Sequence, residues 1–287
     1  MIVLRTVRAL REAVKAARTR GKRIALVPTM GALHEGHLSL MRRAQERCGF
    51  VVVTLFVNPA QFTEAADLAG YPRDEERDAR LAESAGASVL FAPAASEVYP
   101  NGFATSVEVA GLSAPLEGEA RGPQHFRGVA TVVAKLLNMA QPDEAFFGQK
   151  DAQQALIIRR LVRDLDLPVW VEICPTVRES DGLAMSSRNA LLGVEARERA
   201  TALSRALFAV ERAAADGERR TEDALDAGRT ILSQHGISPE YFAAVDAETL
   251  APVEGFETDT LIAIAARVGG VRLIDNVIIG ASSGAGE

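Results

Sequence analysis

Short apolar runs rich in β-branched residues alternate with segments of helical periodicity through the first 175 residues of this 287-residue chain. The predicted strands cover residues 24–27, 50–57, 88–91, 145–147 and 169–173, and helical spacing occurs near 38–47, 74–85, 129–140 and 151–164. Buried parallel strands are continuously apolar and need helical crossovers between them, so this alternation is typical of an α/β fold. We therefore predict a Rossmann-like parallel sheet covered by helices on both faces.

The pattern changes after about residue 175. Two long helices are predicted at about 195–216 and 221–235, followed by strands at 241–245, 260–266 and 271–277 that look antiparallel. We predict a first domain over residues 1–175 and a smaller α+β domain over residues 176–280. Residues 281–287 are rich in Ser and Gly and are predicted to be a disordered tail.

Composition limits the partners of the chain. The formal net charge of −6 argues against nucleic acid. The longest apolar stretch, residues 50–57, is too short to span a bilayer, and residues 1–20 are amphipathic and rich in Arg. We therefore predict a cytoplasmic protein without a membrane partner. Cys48 and Cys174 lack a C-x-x-C pattern, which predicts two buried thiols rather than a disulfide or a metal cluster.

Two histidines three residues apart, His34 and His37, lie where the first predicted strand gives way to a helix. At this spacing both rings lie on one face of the first helical turn, beside free backbone N–H groups and the positive end of the helix dipole. Such a position favours an anion and neutral imidazole rings, which indicates a phosphate or nucleotide site. The alternatives are a helix cap or, less well supported, a zinc site, because zinc helices space their histidines by four.

Polar residues also follow the second and fourth predicted strands. Asn58 and Gln61 flank Pro59, and their neutral amides suit recognition of hydroxyl and carboxylate groups; the alternative is a turn in which Asn58 caps local backbone. Further along, Lys150 offers a point charge for phosphate, and Asp151 can cap a helix or reach a metal.

Three further segments carry charge. Ser186, Ser187 and Arg188 suit a mobile phosphate clamp, or alternatively a helix-capping loop. Residues 117–128, with positive charge from Arg121, His125 and Arg127 beside several glycines, predict a flexible cover. The acidic run at residues 74–78 predicts a solvated first helical turn rather than a metal site.

The H-E-G-H and M-S-S-R segments resemble the nucleotidyltransferase superfamily that contains the class I aminoacyl-tRNA synthetases. The finer pattern, over about residues 2–280, resembles the pantoate–β-alanine ligase family. It consists, in this order, of P-T-M-G-A-L-H-E-G-H, F-V-N-P-x-Q-F, Y-P-R, H-F-R-G-V, F-F-G-x-K-D, D-G-L-A-M-S-S-R-N and R-L-I-D-N.

This resemblance implies ATP-dependent condensation of pantoate with β-alanine through pantoyl adenylate, with release of AMP and pyrophosphate. It implies Mg²⁺ accompanying ATP, without assigning protein ligands to the metal, and a homodimer whose smaller domain is a lid. The implied ATP-binding residues are Met30, Gly31, Ala32, Leu33, His34, Glu35, Gly36, His37, Gly148, Gln149, Lys150, Asp151, Val177 through its backbone, Met185, Ser186, Ser187 and Arg188.

The catalytic residues implied by the resemblance are His34, His37, Lys150 and Arg188, with His37 as proton donor. The implied substrate-binding residues are Gln61 and Gln154 on pantoate, with Gln61 also meeting β-alanine, and Asn58, Tyr71 and Arg121 as further candidates. The chain departs from the family pattern in two places: Gln149 replaces the usual Glu, and residues 117–125 are one residue longer, with Gly122 separating Arg121 from Pro123.

Two other interpretations stay open on sequence alone. One is a different nucleotidyltransferase that leaves the nucleotide on its product, and the other is a nucleotide-binding regulatory module without turnover. A tRNA synthetase is disfavoured, because the segment after residue 175 leaves little room for anticodon recognition and the chain is acidic.

Overall fold

The computed structural model describes residues 1–62 and 65–281, with backbone alone for residues 65–67. Two compact units are found, Met1–Pro175 and Thr176–Glu287. The tail predicted at residues 281–287 lies outside the described residues from residue 282 onward.

The first unit alternates strands and helices. Its elements are, in chain order, β1 (Ile2–Leu4), α1 (Val7–Thr19), β2 (Ile24–Thr29), α2 (Glu35–Arg47), β3 (Phe50–Leu55), α3 (Ala65–Gly70), α4 (Glu75–Ser84), β4 (Val89–Phe91), α5 (Ala95–Val98), α6 (Glu117–Arg121), α7 (Pro123–Ala140), β5 (Glu144–Gly148), α8 (Ala152–Asp164) and β6 (Trp170–Cys174).

Within the described residues, six strands form one parallel sheet in the order β1-β4-β3-β2-β5-β6. This confirms the predicted α/β class, and each predicted strand is present. The pattern missed β1 because it has only three residues and because Ile2 and Val3, at 51% and 42% exposure, form no buried apolar run. The chain crosses from one side of β2 to the other at β5, which makes the carboxyl ends of β2, β3 and β5 the switch point of the sheet.

The register of the central strands aligns their carboxyl ends. β2 pairs with β3 from Ile24 opposite Phe50 to Thr29 opposite Leu55. On the other side, Leu26 pairs with Ala145, and continuing that register brings Gly148 level with Thr29. The loops that follow these three strands therefore leave the sheet side by side.

The core of the first unit lies on both faces of this sheet. Ala25 and Val27 of β2 are fully buried in a cluster that includes Met41 of α2, while Leu26, also fully buried, alternates to the opposite face. The structure also confirms Cys48 and Cys174 as buried free thiols, and burial raises the pKa of each to about 11, so both stay protonated at neutral pH.

The second unit is α+β, as predicted. Its elements are α9 (Val194–Ala215), α10 (Thr221–Gln234), β7 (Pro239–Asp246), β8 (Thr260–Val268) and β9 (Val271–Ile279). The three strands form an antiparallel sheet in the order β7-β8-β9. The buried residues Leu203 and Leu207 of α9 pack in one cluster with Ile262 and Ile264 of β8.

None of the helices in residues 1–62 and 65–281 combines the length and the hydrophobicity that a membrane-spanning segment needs.

Candidate active site

Loops from three adjacent strands carry the first unit's candidate residues. The loop after β2 bears His34 and His37, the 3-10 turn Pro59–Gln61 follows β3, and the 3-10 turn Gln149–Asp151 follows β5. These strands are neighbours at the switch point, where open α/β sheets bind their ligands. The sheet therefore brings together residues that are more than 100 positions apart in the chain.

The two histidines of the first loop cap the helix that follows. His34 is the N-cap of α2, and its Nδ1 accepts from the backbone N–H of Gly36 at 3.2 Å. The backbone N–H of His34 in turn donates to Nδ1 of His37 at 3.4 Å, and the ring centroids lie 4.2 Å apart. Because both Nδ1 atoms accept, each neutral ring carries its proton on Nε2. The cap interpretation is thus confirmed, and the cap itself presets the two Nε2–H donors.

His37 is neutral at pH 7. Burial lowers its pKa to about 3, and the charges of His34 and Lys150 add to the shift. The residue as a whole is partly exposed. The sequence predicted a neutral ring on account of the helix dipole, and the structure gives burial as the main cause.

Replacing His37 with Gln is expected to make the free energy of unfolding fall less steeply as the pH is lowered below 7. The pKa of His37 is about 3 in the folded chain against 6.5 for a free imidazole, so the unfolded chain binds more protons between these values. Stability of the native chain therefore falls as the pH is lowered through this window. Glutamine does not titrate. As the pH falls, the free energy of unfolding of His37→Gln should therefore decrease less than that of the native chain, by up to about 1.4 kcal/mol per pH unit. Urea unfolding between about pH 7 and pH 4 measures both slopes, and equal slopes would contradict the shift.

Asp78 holds the backbone of the histidine loop. Its carboxylate accepts from the N–H of Ala32 at 2.8 Å and from that of Leu33 at 2.9 Å. The prediction that residues 74–78 form a solvated turn is therefore wrong for Asp78, which is 1% exposed. The expectation of free backbone N–H groups beside the two rings fails at residues 34 and 36, whose N–H groups donate to Nδ1 of His37 and of His34.

The same loop needs a glycine at residue 31. Gly31 has φ +97°, and a Cβ there would lie 2.8 Å from Cδ1 of Leu55 and 2.9 Å from Oδ2 of Asp78. Ala32 follows at φ +51°, a left-handed conformation that costs an ordinary residue about 1 kcal/mol or more. The two hydrogen bonds to Asp78 help to hold this strained segment in place.

The amide loop after β3 is fixed by buried contacts. Asn58 is 1% exposed and its Oδ1 accepts from the N–H of Ala60 at 3.3 Å, which confirms the local cap interpretation. Its Nδ2 donates to Oε1 of Gln61 at 3.0 Å, so it also orients its neighbour. His125 donates from Nδ1 to the carbonyl of Gln61 at 2.9 Å, and burial lowers the pKa of His125. A neutral His125 does not supply the positive charge that the sequence suggested.

The turn after β5 differs from the expectation at Asp151. This residue is the N-cap of α8, but its side chain makes no capping hydrogen bond. Lys150 lies close enough for its charge to lower the pKa of His37, so its ammonium group is within electrostatic range of that ring. Gln154 is partly exposed on the first turn of α8, whereas the neighbouring Gln153 is buried and donates to the carbonyls of Leu112 and Pro115.

Residues 117–121 and 123–128 are helical, so this segment is not the irregular loop that its glycines suggested. Its role as a cover stays a prediction. α6 and α7 meet at Gly122, and Pro123 begins α7 six residues earlier than predicted, because proline suits the first helical position. Arg121 donates to the buried carboxylate of Glu117 at 2.7 Å. Tyr71 packs edge to face against Phe62 with centroids 5.9 Å apart. The substrate-binding roles of Arg121 and Tyr71 stay predictions.

The predicted phosphate clamp lies in the second unit. The N–H of Met185 donates to the carbonyl of Val177, and Arg178 forms a β-bridge with Ala184. These contacts make residues 177–185 a hairpin. Arg178 also donates to both carboxylate oxygens of Asp275, at 2.6 and 3.1 Å, so the R-L-I-D-N segment anchors this hairpin.

Beyond the hairpin, a 3-10 turn begins at Ser187. Oγ of Ser186 accepts from the N–H of Arg188, which confirms the capping interpretation, and Arg188 is exposed. The roles of Ser186, Ser187 and Arg188 on phosphates stay predictions.

A family model described as pantoate-beta-alanine ligase matches residues 2–278. The chain belongs to the pantoate–β-alanine ligase family. The pantothenate synthetase of Cereibacter sphaeroides is 52% identical over 275 residues, which cover 96% of this chain and 98% of the relative. That of Moorella thermoacetica is 51% identical over 283 residues, 97% of this chain and 99% of the relative.

Solved structures agree with this assignment. Pantothenate synthetase from Thermus thermophilus superposes with a TM-score of 0.92 at 46% identity and covers 98% of this chain and all of the other. Pantoate-beta-alanine ligase from Francisella tularensis, crystallised with beta-gamma ATP and beta-alanine, gives a TM-score of 0.79 at 31% identity over 97% of each chain. The resemblance inferred from the ordered motifs is confirmed.

Three residues with a structural role in this ligase-family site escaped the sequence analysis. The sequence alone predicts a solvated turn at Asp78, gives no signal for Tyr99 and marks Gly128 only as one of several glycines. Each acts on a residue 41 to 70 positions away, as the contacts of Asp78 with Ala32, of Tyr99 with Asn58 and of Asn58 with Gly128 show. The H-F-R-G-V motif, which contains Gly128, was the one available signal.

Proposed function

We propose that this chain condenses pantoate with β-alanine in an ATP-dependent reaction, through pantoyl adenylate, in the manner of its family. The observation that carries the proposal is the reciprocal cap of His34 and His37, which presets two Nε2–H donors at the switch point of the sheet. Such donors complement phosphate oxygens without requiring a buried positive charge.

In the first proposed step, a carboxylate oxygen of pantoate bonds to the α-phosphorus of ATP while the bond to the bridging oxygen breaks, and pyrophosphate leaves. This step brings two anions together, so cations and N–H donors must neutralise the growing charge. We assign this role to His34, His37, Lys150 and, by the family motif, Arg188. With a pKa of about 3 in the ligand-free site, His37 acts as a hydrogen-bond donor, and a nearby polyphosphate would raise that pKa.

In the second proposed step, the neutral amine of β-alanine attacks the acyl carbon of the adenylate, and AMP leaves with the electron pair of the broken C–O bond. The ammonium proton released from the amine passes to water or to a modest base, because AMP is a good leaving group and no strong base is required. Gln61 and Gln154 are proposed to hold pantoate, with Tyr71 and Arg121 as further candidates. Asn58 is 1% exposed and donates to Oε1 of Gln61, so we assign it to orienting Gln61 rather than to meeting the substrate.

Mg²⁺ is proposed to arrive bound to ATP, where it neutralises phosphate charge. No three of the described His, Cys, Asp or Glu side chains form a group that could hold a metal. We propose that the phosphates of ATP supply most of the ligands of the metal. Asp151, the carboxylate next to Lys150 in the chain, is the candidate protein ligand. A homodimer, closure by the second unit and a cytoplasmic location are parts of the same proposal.

The proposal is tested by measuring release of AMP and pyrophosphate from ATP and Mg²⁺, with pantoate and β-alanine each omitted in turn. Dependence of AMP release on both substrates, with pantothenate formed, is the expected result. A stable nucleotidyl product without free AMP would instead identify another nucleotidyltransferase. Absence of any turnover, together with full biological function of His37→Ala, would favour a regulatory module.

A further inference from the structure

The side chain of Asn58 is buried at the start of the amide loop, residues 58–61. Each of its hydrogen-bonding positions has a partner in the protein. Its Oδ1 accepts from the hydroxyl of Tyr99 at 2.7 Å and from the N–H of Ala60 at 3.3 Å. Its Nδ2 donates to Oε1 of Gln61 at 3.0 Å and to the carbonyl of Gly128 at 3.1 Å. A backbone N–H can only donate and a carbonyl can only accept, so the amide of Asn58 has one permitted orientation.

This orientation fixes the direction of Gln61 as well. Oε1 of Gln61 receives the hydrogen bond from Asn58, so Nε2 points the other way. That NH₂ group lies 3.2 Å from Sδ of Met30, and a thioether is a weak acceptor. A substrate oxygen can therefore displace this contact at little cost. Gln61 and Met30 are both partly exposed, as a ligand-facing pair must be.

Tyr99 makes the shorter of the two hydrogen bonds that Asn58 accepts. Burial raises the pKa of Tyr99 to about 12, so its hydroxyl keeps the proton that it donates. The ring is held by Phe56 and Phe103, whose centroids lie 6.1 and 5.1 Å away, and the ammonium of Lys135 lies 6.0 Å from the ring centroid. The phenol is thus a fixed donor beneath the loop, and it does not itself need to meet a ligand.

We propose that Tyr99 is a positioning residue for the condensation reaction. It acts through Asn58 to aim the NH₂ group of Gln61 at a carboxylate oxygen of the small hydroxy acid. Donor and acceptor then alternate along one chain of hydrogen bonds, from the phenol through both amides to the substrate. This inference rests on the proposed function for the identity of that acid.

We call this chain of hydrogen bonds, from Tyr99 through Asn58 to Gln61, the relay. Tyr99→Phe tests the relay, because it removes a single hydroxyl. We expect the KM for pantoate to rise about fivefold to tenfold, since Gln61 is less firmly aimed, while the KM for ATP stays within about twofold. Tyr241→Phe removes the same atom from β7 of the second unit and is the matched control, expected to change neither constant. An unchanged KM for pantoate, or an equal rise in both constants, would overturn the relay.

Asn58→Asp tests the direction of the amide. A carboxylate at residue 58 can only accept, so the Gln61 amide should turn its NH₂ toward it and its oxygen toward the substrate. The native chain should prefer pantoate over the carboxamide analogue of pantoate, used as a competitive inhibitor. We expect this preference to fall about tenfold or more in the variant, and an unchanged preference would contradict the proposal.

Failure of the relay is separable from failure of the proposed function. If the native chain does not condense pantoate with β-alanine, the proposed function is wrong. The relay is then judged in the ligand-free protein, by hydrogen exchange of the Gln61 side-chain amide, assigned with Gln61→Glu. Exchange several times faster in Tyr99→Phe than in the native chain supports the relay, and equal rates exclude it.

Discussion

Gly128→Ala is expected to destabilise the chain by about 3 kcal/mol, because overpacking against rigid backbone lies at the upper end of such substitutions. A Cβ at residue 128 would lie 2.2 Å from the carbonyl oxygen of Ala60, 2.5 Å from its carbonyl carbon and 2.7 Å from the backbone nitrogen of Gln61. All three atoms belong to backbone, so no side-chain rotation relieves the contact. α7 and the turn at residues 59–61 must therefore move apart.

The same substitution is expected to reduce kcat/KM for pantoate by about 100-fold, because a displacement of about 1 Å at a positioning group has an effect of this size. The carbonyl of Gly128 is an acceptor for Asn58, so the movement disturbs Gln61 from two sides. Gly70→Ala is the matched control, since among the described residues nothing beyond its chain neighbours and the backbone of its own helix lies within 4 Å of the added Cβ at the end of α3.

Urea unfolding and steady-state kinetics on the two alanine variants separate the outcomes. The Gly70→Ala control should stay within about 1 kcal/mol of the native chain, as a glycine-to-alanine change in a helix does. Native stability together with a native KM for pantoate in Gly128→Ala would show that the close contact between α7 and the turn has no functional weight.

The elements of the sheet could be predicted because the signal for them is local. A buried parallel strand such as β2 is an uninterrupted apolar run, and α2 repeats its buried residues at helical spacing. The pattern failed where that signal is weak, at the short, partly exposed β1 and in α6, whose five residues are too few to show an apolar periodicity. The predicted start of a helix was wrong where a residue at the helix terminus sets it, as at Pro123, the first residue of α7.

The candidate site was predictable to the extent that its chemistry lies in consecutive residues. His34 and His37 share one helical turn, so their pairing follows from spacing alone. The residues that aim them do not, because Asp78 reaches residues 32 and 33 from α4 through the tertiary fold. Neither periodicity nor composition contains the information that one carboxylate of an acidic run turns inward while its neighbours stay in solvent.

Arg178 and Asp275 show the same limit in the second unit. The motif R-L-I-D-N contains Asp275, and the family resemblance names the backbone of Val177 next to Arg178. Neither indicates that the guanidinium of Arg178 is held by a carboxylate 97 residues further on. Asp275 is 3% exposed, and a carboxylate at this depth needs an ion pair or hydrogen bonds to offset its loss of hydration.

Asp78→Asn is expected to destabilise the chain by about 2–3 kcal/mol, because one of the two backbone N–H groups of Ala32 and Leu33 loses its acceptor and the other loses a charged one. The amide of Asn accepts through a single oxygen, so its NH₂ group must face the N–H of Ala32 or Leu33. The variant should also raise the KM for ATP about tenfold or more, since the loop that carries His34 loses its anchor.

Asp74→Asn provides the matched control on the same helix. Asp74 is the N-cap of α4 and accepts from the N–H of Arg77, a role that asparagine fills equally well, so its stability should change by less than about 0.5 kcal/mol. Thermal unfolding and the KM for ATP, measured on both variants, compare the loss of the buried carboxylate of Asp78 with the loss of the exposed carboxylate of Asp74. Equal effects would show that Asp78 stabilises α4 alone and leaves the histidine loop untouched.

A second substitution identifies the strain that Asp78 opposes. Ala32 has φ +51°, and glycine adopts this conformation without steric cost, so Ala32→Gly in the Asp78→Asn background should restore about 1 kcal/mol. If stability returns while the KM for ATP stays high, the carboxylate has a role in aiming the loop beyond relieving its backbone. If both return together, the conformation of residue 32 is the whole of what Asp78 contributes to nucleotide binding.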